Sequence, residues 1–525
     1  MASLTMYPED ERLSGGNRAA FNLYIVTAVT LFVLMMLVGL TMRMTQARWL
    51  DVPPDLFYEL LSMHGAGMVG TMSLATTAVM WFFLRKYVHL HLWAFVANYV
   101  LFLLGALCII VSIFVYGYGA LWTFLYPLPV HGVGMWTADS SALFMLGYLL
   151  IGVGSLLFYL DAAAAIIKVH GNLGRALGLQ WLFGGKIDPD HPKAVVASTM
   201  VIIANSLGIL AGAVVLVMSL VNIFYPQVVL NALVAKNLIY WFGHMYINAT
   251  IYMGVIAIYE LLPRYTGKPY PISRPFLWSW AVSTVFVVVV FPHHLLMDFA
   301  QPRWLAIMGQ IVSWGAGFPV FLVTAYGALT NIYRSNIRWT MPSRLMILSM
   351  FGWAAGIVPA ILDGTIRINS VMHNTQWVPG HFHFYILLGV LAMALSLMFH
   401  EIGSRAHAAP DSRADRLGFP VYLIGGLIFV FGFLDGGRVS VPRRMAEHLQ
   451  AWTFSDRIGS IGAILVVLAM LYFAIRITVG LLKPPSPSWA PEPVPGPIPE
   501  PVPSPLVSPA PSPGVVGVGT TNAAG

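Results

Sequence analysis

The chain contains little charge and almost no cysteine. Only 9% of its 525 residues are charged, whereas about 25% are charged in a typical soluble domain. This deficit excludes an ordinary soluble enzyme. The net charge of +7 does not indicate nucleic-acid binding, because the basic residues lie in short segments between apolar runs. Cys108 is the single cysteine, which excludes an internal disulfide and any metal site that needs two thiolates from this chain.

Long apolar runs are what the sequence has instead. Apolar residues make up 58% of the chain, and about 20 consecutive apolar residues span a bilayer. Twelve such runs predict an all-α polytopic membrane protein with twelve transmembrane helices. The runs occupy approximately residues 20–42, 60–84, 91–117, 141–168, 197–225, 233–263, 274–299, 304–330, 342–366, 375–402, 418–435 and 457–482.

The segments outside these runs predict the domain organisation and the orientation. Residues 1–19 form an N-terminal segment without the features of a cleavable signal, and residues 20–482 form one twelve-helix domain. Residues 483–525 form a proline-rich tail that is predicted to be disordered. Lys and Arg are roughly twice as numerous in the segments on the side of the membrane that carries both termini as in those on the other side, and such an excess marks the cytoplasmic side. We therefore expect a multi-pass protein of the inner (plasma) membrane with both termini in the cytoplasm.

Six of the fifteen histidines lie inside the apolar runs. Ionisable side chains are costly in hydrocarbon and usually mark a functional site, although a lone histidine there is more often a hydrogen-bonded core residue. In the predicted orientation all six share one depth in the outer half of the membrane, on four helices. His381 and His383 are two positions apart and so face opposite sides of one helix. This arrangement suits two neighbouring metal centres, since imidazole ligates copper, iron and zinc.

The motifs around these histidines resemble those of subunit I of the haem–copper oxygen and nitric oxide reductase superfamily, most closely the B-type oxidases. The matching stretches are WFGH ending at His244, FPHH ending at His294, HNTQWVPGHFHF around His381 and His383, and VPRR at Val441–Arg444. The likeness extends over essentially all twelve runs. It implies the twelve-helix architecture of that superfamily and an oxidoreductase that passes electrons to a small diatomic gas.

The resemblance also implies two haems and one copper ion. His64 and His383 are expected to bind a low-spin haem iron from opposite sides, and His381 is the expected ligand of a second, high-spin haem. The expected ligands of the copper that faces this second haem are His244, His293 and His294. Four further residues are expected to contact haem propionates, namely Arg443, Arg444, His373 and Asn374.

One residue differs from the residue found at the same position in the oxygen-reducing members of the superfamily. Where A- and B-type oxidases have a tyrosine four residues after the first copper ligand and cross-linked to it, this chain has Asn248. Residues four apart share a helix face, so Asn248 is expected to face the pocket of His244. Asparagine cannot form the phenoxyl radical used when the O–O bond breaks, and Tyr246 is expected to face away. Nitric oxide reduction needs no such donor. The alternative is an oxidase whose tyrosine comes from another helix, as in C-type oxidases. Tyr326 is the candidate, although its expected place is too close to the cytoplasmic end to reach the metals.

The expected proton path is incomplete. The resemblance implies hydroxyl groups that rise from the cytoplasm, and Tyr259 and Thr324 stand at suitable positions. Val320 replaces an expected serine, and Asn369 stands where B-type oxidases usually carry an acid near the proton exit. The sequence therefore predicts weak or absent proton pumping.

The predicted function is that of a respiratory terminal reductase subunit, with reduction of nitric oxide to nitrous oxide narrowly favoured. Its alternative is a cytochrome c oxidase that reduces oxygen to water with proton translocation. Because the chain has no Cys-x-x-Cys-His and no thiolate pair, electrons are expected to enter through a subunit II-type partner with a cupredoxin or cytochrome c domain. Cytochrome c or a small copper protein is the expected donor. A twelve-helix secondary transporter without haem also fits the number of apolar runs.

Overall fold

Twelve long apolar helices make up most of the part of the chain that the structure describes. We analysed a computed structural model, which describes residues 13, 15–406 and 411–483. The helices long and apolar enough to cross a membrane, α1 to α12, are Gly15–Gln46, Pro54–Leu84, Leu92–Phe114, Ala138–His170, Lys193–Phe224, Ala232–Thr266, Arg274–Leu295, Arg303–Ile332, Met341–Asp363, Trp377–Gly403, Arg413–Arg438 and Gln450–Leu482. Each predicted run overlaps one of them, and the predicted fold class is confirmed. Most of the N-terminal segment and nearly all of the proline-rich tail lie outside the described residues.

Local capping sets where several helices begin and end. The side chain of Asn231 accepts hydrogen bonds from the first amides of α6, and Gly267 ends that helix at a positive φ of 72°, which glycine adopts without strain. At the start of α11, Ser412 and Asp415 form a reciprocal capping box. Such caps satisfy helix-end amides that have no partner within the helix.

The helices that carry four of the six histidines lie in the interior of the bundle. In the most apolar stretches of α2, α6 and α10, 78%, 83% and 78% of the residues are buried, whereas in α8 only 11% are. These three helices pack against one another. They hold His64, His244, His381 and His383, so these four predicted ligands lie on the interior helices of the bundle.

Two helices, α7 and α10, depart from α-helical geometry at or directly beside the histidines. The last turn of α7, Phe291–Leu295, is a 3₁₀ turn that contains His293 and His294. In α10, a π-helical segment, Phe384–Val390, follows His383 directly. Such irregular turns occur frequently at functional sites. Here they set the directions in which the histidine side chains leave the backbone.

Helices α9 and α10 approach each other closely at Gly352. A Cβ atom at this position would lie 2.3 Å from the carbonyl carbon of Leu388, which is backbone and belongs to the π-helical segment. Gly352→Ala is therefore expected to lower the free energy of unfolding by about 1–3 kcal/mol, as overpacking does. Thermal unfolding in detergent measures this loss. Gly403→Ala is the control, because no atom lies within 4 Å of its added Cβ, and equal melting temperatures for the two variants would contradict the prediction.

A buried ion pair joins α1 to α12. Arg43 Nη1 lies 2.5 Å from Asp456 Oδ1, and both side chains are almost fully buried. The second carboxylate oxygen of Asp456 accepts a hydrogen bond from His448 Nδ1 at 2.6 Å. The Arg43 guanidinium also packs over the Phe433 ring at 4.2 Å, and that ring stacks on His383 with 5.3 Å between centroids. The pair therefore supports the packing beside one predicted haem ligand.

Removal of one partner of this pair is expected to be costly. Asp456→Ala leaves the Arg43 guanidinium buried without its counter-charge, so we expect a loss of about 3–5 kcal/mol in the free energy of unfolding. Denaturant or thermal unfolding of the purified protein measures it. Arg438→Gln removes an exposed pair with Asp435, whose expected contribution is at most about 1 kcal/mol. Similar losses for both variants would count against the role given to the buried pair.

Candidate metal and cofactor site

Three histidines from α6 and α7 form a group with the dimensions of a metal site. The ligand atoms of His244, His293 and His294 all lie within 4.8 Å of one another. His244 Nδ1 and His294 Nε2 are 3.0 Å apart, and His293 Nδ1 bonds the carbonyl oxygen of Val290 at 2.7 Å. A carbonyl partner on one ring nitrogen leaves the other free for a metal. Three imidazoles with an open fourth position fit a reactive copper or similar ion.

His64 and His383 face each other across the space between α2 and α10. Their ring centroids are 6.5 Å apart and their planes differ by 23°. The Nδ1 atoms bond the carbonyl oxygens of Met35 at 2.7 Å and Pro379 at 2.6 Å, respectively. Gly39 makes room for this arrangement, since a Cβ there would lie 2.6 Å from His64 Cε1. The pair fits an iron held between two imidazole Nε2 atoms.

One cavity connects these groups. It has a volume of about 550 Å³ and mainly apolar walls, and its lining includes all six histidines. His381 lies between the two groups described above, and its Nδ1 is buried without a hydrogen-bond partner among the described residues. An apolar cavity with a few convergent ligating side chains is the usual form of a cofactor site. The residues therefore fit haem groups beside a three-histidine metal ion.

The predicted propionate contacts lie together at one edge of the cavity. The backbone amide of Arg443 donates to the carbonyl oxygen of Asn374 at 3.0 Å, and that of Gln376 donates to Val441 at 2.8 Å. Both Arg443 and Arg444 line the cavity, and Arg444 holds a positive φ of 62°. Strained backbone of this kind is found at functional sites.

The charges at this edge favour an anionic ligand. Burial and, to a lesser extent, the neighbouring positive charge of Arg444 lower the pKa of Arg443 to about 10. Within the described residues neither guanidinium forms an ion pair with a carboxylate. Burial also lowers the pKa of His373, and the charge of Arg443 acts in the same direction. Two guanidinium groups without carboxylate partners fit the propionates of a haem.

Asn248 contacts the first ligand of the three-histidine group, as the spacing of four predicts. Its Nδ2 lies 2.8 Å from His244 Nε2 and donates to the His244 carbonyl oxygen at 3.0 Å. Asn248 thus occupies the side of the imidazole that faces away from His294. The amide orients His244 so that Nδ1 points toward the other two histidines.

Three tyrosines bear on the residue type that Asn248 replaces. Tyr326, the candidate on another helix, is 73% exposed and does not line the cavity, in agreement with its expected place too close to the cytoplasmic end to reach the metals. Tyr246 packs against Phe242, with ring centroids 5.5 Å apart. Sequence reasoning missed Tyr240, which stacks on His294 at 5.6 Å. Its signal was available, since it precedes His244 by four residues.

The predicted proton-path residues meet away from the cavity. Tyr259 and Thr324 share a hydrogen bond of 2.7 Å, and Tyr270 donates to the Thr324 carbonyl oxygen at 2.6 Å. Val320 contributes only its carbonyl oxygen, which accepts from Thr324 at 2.6 Å. Asn369, which stands near the expected proton exit, donates to the backbone carbonyl oxygen of Asp363. Asp363 is a buried acid that sequence reasoning also missed.

Comparisons with known proteins identify relatives of the chain. The family model for cytochrome c and quinol oxidase polypeptide I matches residues 19–480. The chain is 22% identical over 418 residues to the heme-copper oxidase subunit I+III of Aeropyrum pernix, covering 75% of this chain and 48% of that protein. It is 25% identical over 313 residues to cytochrome c oxidase subunit 1 of Thermus thermophilus, covering 55% and 54%.

A solved structure gives the same fold. The cryo-EM structure of a heme-copper terminal oxidase dimer superposes with a TM-score of 0.71 at 17% identity, covering 94% of this chain and 89% of that one. The matched part of the sequence spans about half the length of the curated relatives. The match to the family model covers nearly all of the helical domain. The chain therefore belongs to the cytochrome c and quinol oxidase polypeptide I family, the subunit I of haem–copper reductases.

Proposed function

We propose that the chain is the catalytic subunit of a membrane respiratory reductase that converts nitric oxide to nitrous oxide. The observation that carries the choice of gas is the contact between Asn248 and His244. An amide stands where oxygen-reducing relatives of the A and B types use a cross-linked tyrosine. The reaction 2 NO + 2 e⁻ + 2 H⁺ → N₂O + H₂O needs two electrons and two protons, and no protein radical.

The six histidines divide the cavity into an electron-entry part and a reaction part. The haems and copper, when bound, supply electron transfer and a pair of metal sites where two nitric oxide molecules meet. In this proposal His64 and His383 hold the low-spin haem, His381 holds the high-spin haem, and His244, His293 and His294 hold the copper. Arg443 and Arg444, with His373 and Asn374 behind them, bind the propionates and fix the haem planes.

Asn248 is proposed to hold His244 and to donate a hydrogen bond into the pocket. One amide hydrogen is used by the His244 carbonyl oxygen. With a metal on Nδ1, the neutral imidazole carries its hydrogen on Nε2, which the side-chain oxygen of Asn248 accepts after a rotation of the amide. That rotation gives up the bond to the His244 carbonyl oxygen and turns the amide NH₂ away from the ring, where it can donate to a polar product.

Electrons and protons are proposed to arrive by separate routes. Because the chain has a single cysteine, electrons are proposed to enter through a subunit II-type partner with a cupredoxin or cytochrome c domain. Cytochrome c or a small copper protein is the proposed donor of electrons to that partner. The subunit II-type partner is proposed to dock on the side of the membrane where Arg443 and Arg444 lie. With both termini in the cytoplasm, this is the outer face. The Tyr259–Thr324 pair stands on the opposite side, as the start of a proton path.

Oxygen reduction to water is the second candidate function. The names of the relatives favour it, since they include cytochrome c oxidases. The stacking of Tyr240 on His294 also favours it, because that phenol is a possible replacement for the missing tyrosine. A haem-free transporter is the remaining class, and it offers no use for six histidines around one cavity.

The test is nitrous oxide formation by the purified complex. Under anaerobic conditions with a reduced donor, we expect one nitrous oxide for every two nitric oxide molecules consumed, measured by gas chromatography. A reduced-minus-oxidised visible spectrum of the same sample should contain haem bands. Haem bands without nitrous oxide would leave the family intact and overturn the choice of gas, whereas no haem bands would overturn the haem sites.

A further inference from the structure

The imidazole of His381 has a carboxylate behind it. Its Nδ1 lies 3.9 Å from Asp363 Oδ2 and has no hydrogen-bond partner among the described residues. By contrast, the Nδ1 atoms of His64, His293 and His383 each bond a backbone carbonyl oxygen, at 2.7, 2.7 and 2.6 Å. Of these four imidazoles, His381 is therefore the one whose second nitrogen faces a side-chain charge.

Asp363 is held in place for this contact. It is 8% exposed, and Asn369 donates to its backbone carbonyl oxygen at 2.6 Å and to Oδ1 at 3.3 Å. His373 Nδ1 lies 3.9 Å from the same Oδ1. One carboxylate oxygen is thus directed toward Asn369 and His373, and the other toward His381.

We propose that Asp363 is a positioning residue that accepts a hydrogen bond from the Nδ1–H of His381. A side-chain movement of about 1 Å brings His381 Nδ1 and Asp363 Oδ2 to an ordinary hydrogen-bond distance. The bond fixes the ring with Nε2 toward the cavity, and an anionic acceptor makes that nitrogen a stronger electron donor than a neutral carbonyl does. The inference rests on the proposed function, because it takes His381 to be a haem ligand.

This asymmetry distinguishes the two haem sites. The carboxylate lowers the reduction potential of the iron bound by His381, whereas the iron between His64 and His383 has only carbonyl partners behind its ligands. A haem iron held by His381 would therefore have a stronger electron donor behind it than one held by His64 and His383. Asp363 therefore acts on the reactive iron through His381 and touches neither substrate nor metal.

The test is resonance Raman spectroscopy and redox titration of the reduced complex with Asp363→Asn. We expect the iron–histidine stretch of the high-spin haem to move to lower frequency and its midpoint potential to become more positive. The low-spin haem bands should not change. Asp161→Asn is the matched control, because Asp161 also pairs with an imidazole, that of His91 at 2.6 Å, but does not line the cavity.

Two further outcomes are decisive. An unchanged stretch and potential in a haem-replete Asp363→Asn complex would overturn the inference and leave the proposed function standing. A drop of ~10–100-fold in affinity for the haem is enough for Asp363→Asn to lose the high-spin haem. In that case the Asp363→Glu variant, which keeps a carboxylate, is the test of the inference. Recovery of the haem with a near-native stretch supports the role of the carboxylate, and its continued loss overturns it. Absence of haem from the unaltered complex would instead be a failure of the proposed function.

Discussion

Replacement of His294 by alanine is expected to abolish gas reduction while the low-spin haem remains. His294 is one of three imidazoles whose ligand atoms lie within 4.8 Å, and two imidazoles bind a reactive metal far more weakly than three. Loss of a partner behind a ligand already costs about 10–100-fold in metal affinity or activity, so loss of the ligand itself should exceed about 100-fold. Turnover with nitric oxide and the copper content per chain measure the effect.

The control for this change is His131→Ala. His131 bonds the Asn222 side chain at 2.9 Å and lies outside the cavity, so its removal should leave turnover and metal content near the native level. The His64–His383 pair provides an internal reference, because the spectrum of its haem should survive in both variants. Native copper content and turnover in His294→Ala would refute the assignment of the three-histidine group.

Replacement of Asn248 by leucine is expected to lower nitric oxide turnover by about 100-fold. The change removes the hydrogen bonds to His244 and the polar group that faces the pocket. It keeps a similar side-chain volume. Loss of one preorganised donor at a reacting centre costs about 10²–10³-fold in other enzymes. Steady-state turnover measures this loss, and the haem spectrum should stay native.

Asn237→Leu is the matched control on the same helix. Its Nδ2 also donates to the carbonyl oxygen four residues earlier, at 2.9 Å, but it does not line the cavity. Asn248→Tyr asks a sharper question, since it restores the residue type of the oxygen-reducing relatives. Native nitric oxide turnover in Asn248→Leu would show that the amide has no part in the reaction.

The twelve spans and the six histidines were predictable because each depends on local pattern. Hydrophobic length fixes a membrane helix almost regardless of its neighbours, and histidines within such runs stand out against their surroundings. The contact of Asn248 with His244 followed from helical spacing alone. Irregular turns were not predictable in this way, and neither the 3₁₀ turn that contains His293 and His294 nor the π-helical segment that follows His383 was expected from the sequence.

Contacts between distant segments lay beyond the sequence. Arg43 and Asp456 are separated by 413 positions, and no periodicity relates them. Asp363 was not singled out, because nothing in its spacing relates it to His381. Its position behind that imidazole depends on how α9 packs on α10, which includes the close approach at Gly352.

The most direct test of the central claim compares two gases on one enzyme. The purified complex, reduced by the same donor, is given nitric oxide anaerobically and oxygen separately, and nitrous oxide formation and oxygen uptake are measured per haem. We predict rapid nitrous oxide formation, with oxygen uptake at least about tenfold slower. Rapid oxygen reduction to water with negligible nitrous oxide would contradict the claim and establish an oxidase that works without the cross-linked tyrosine.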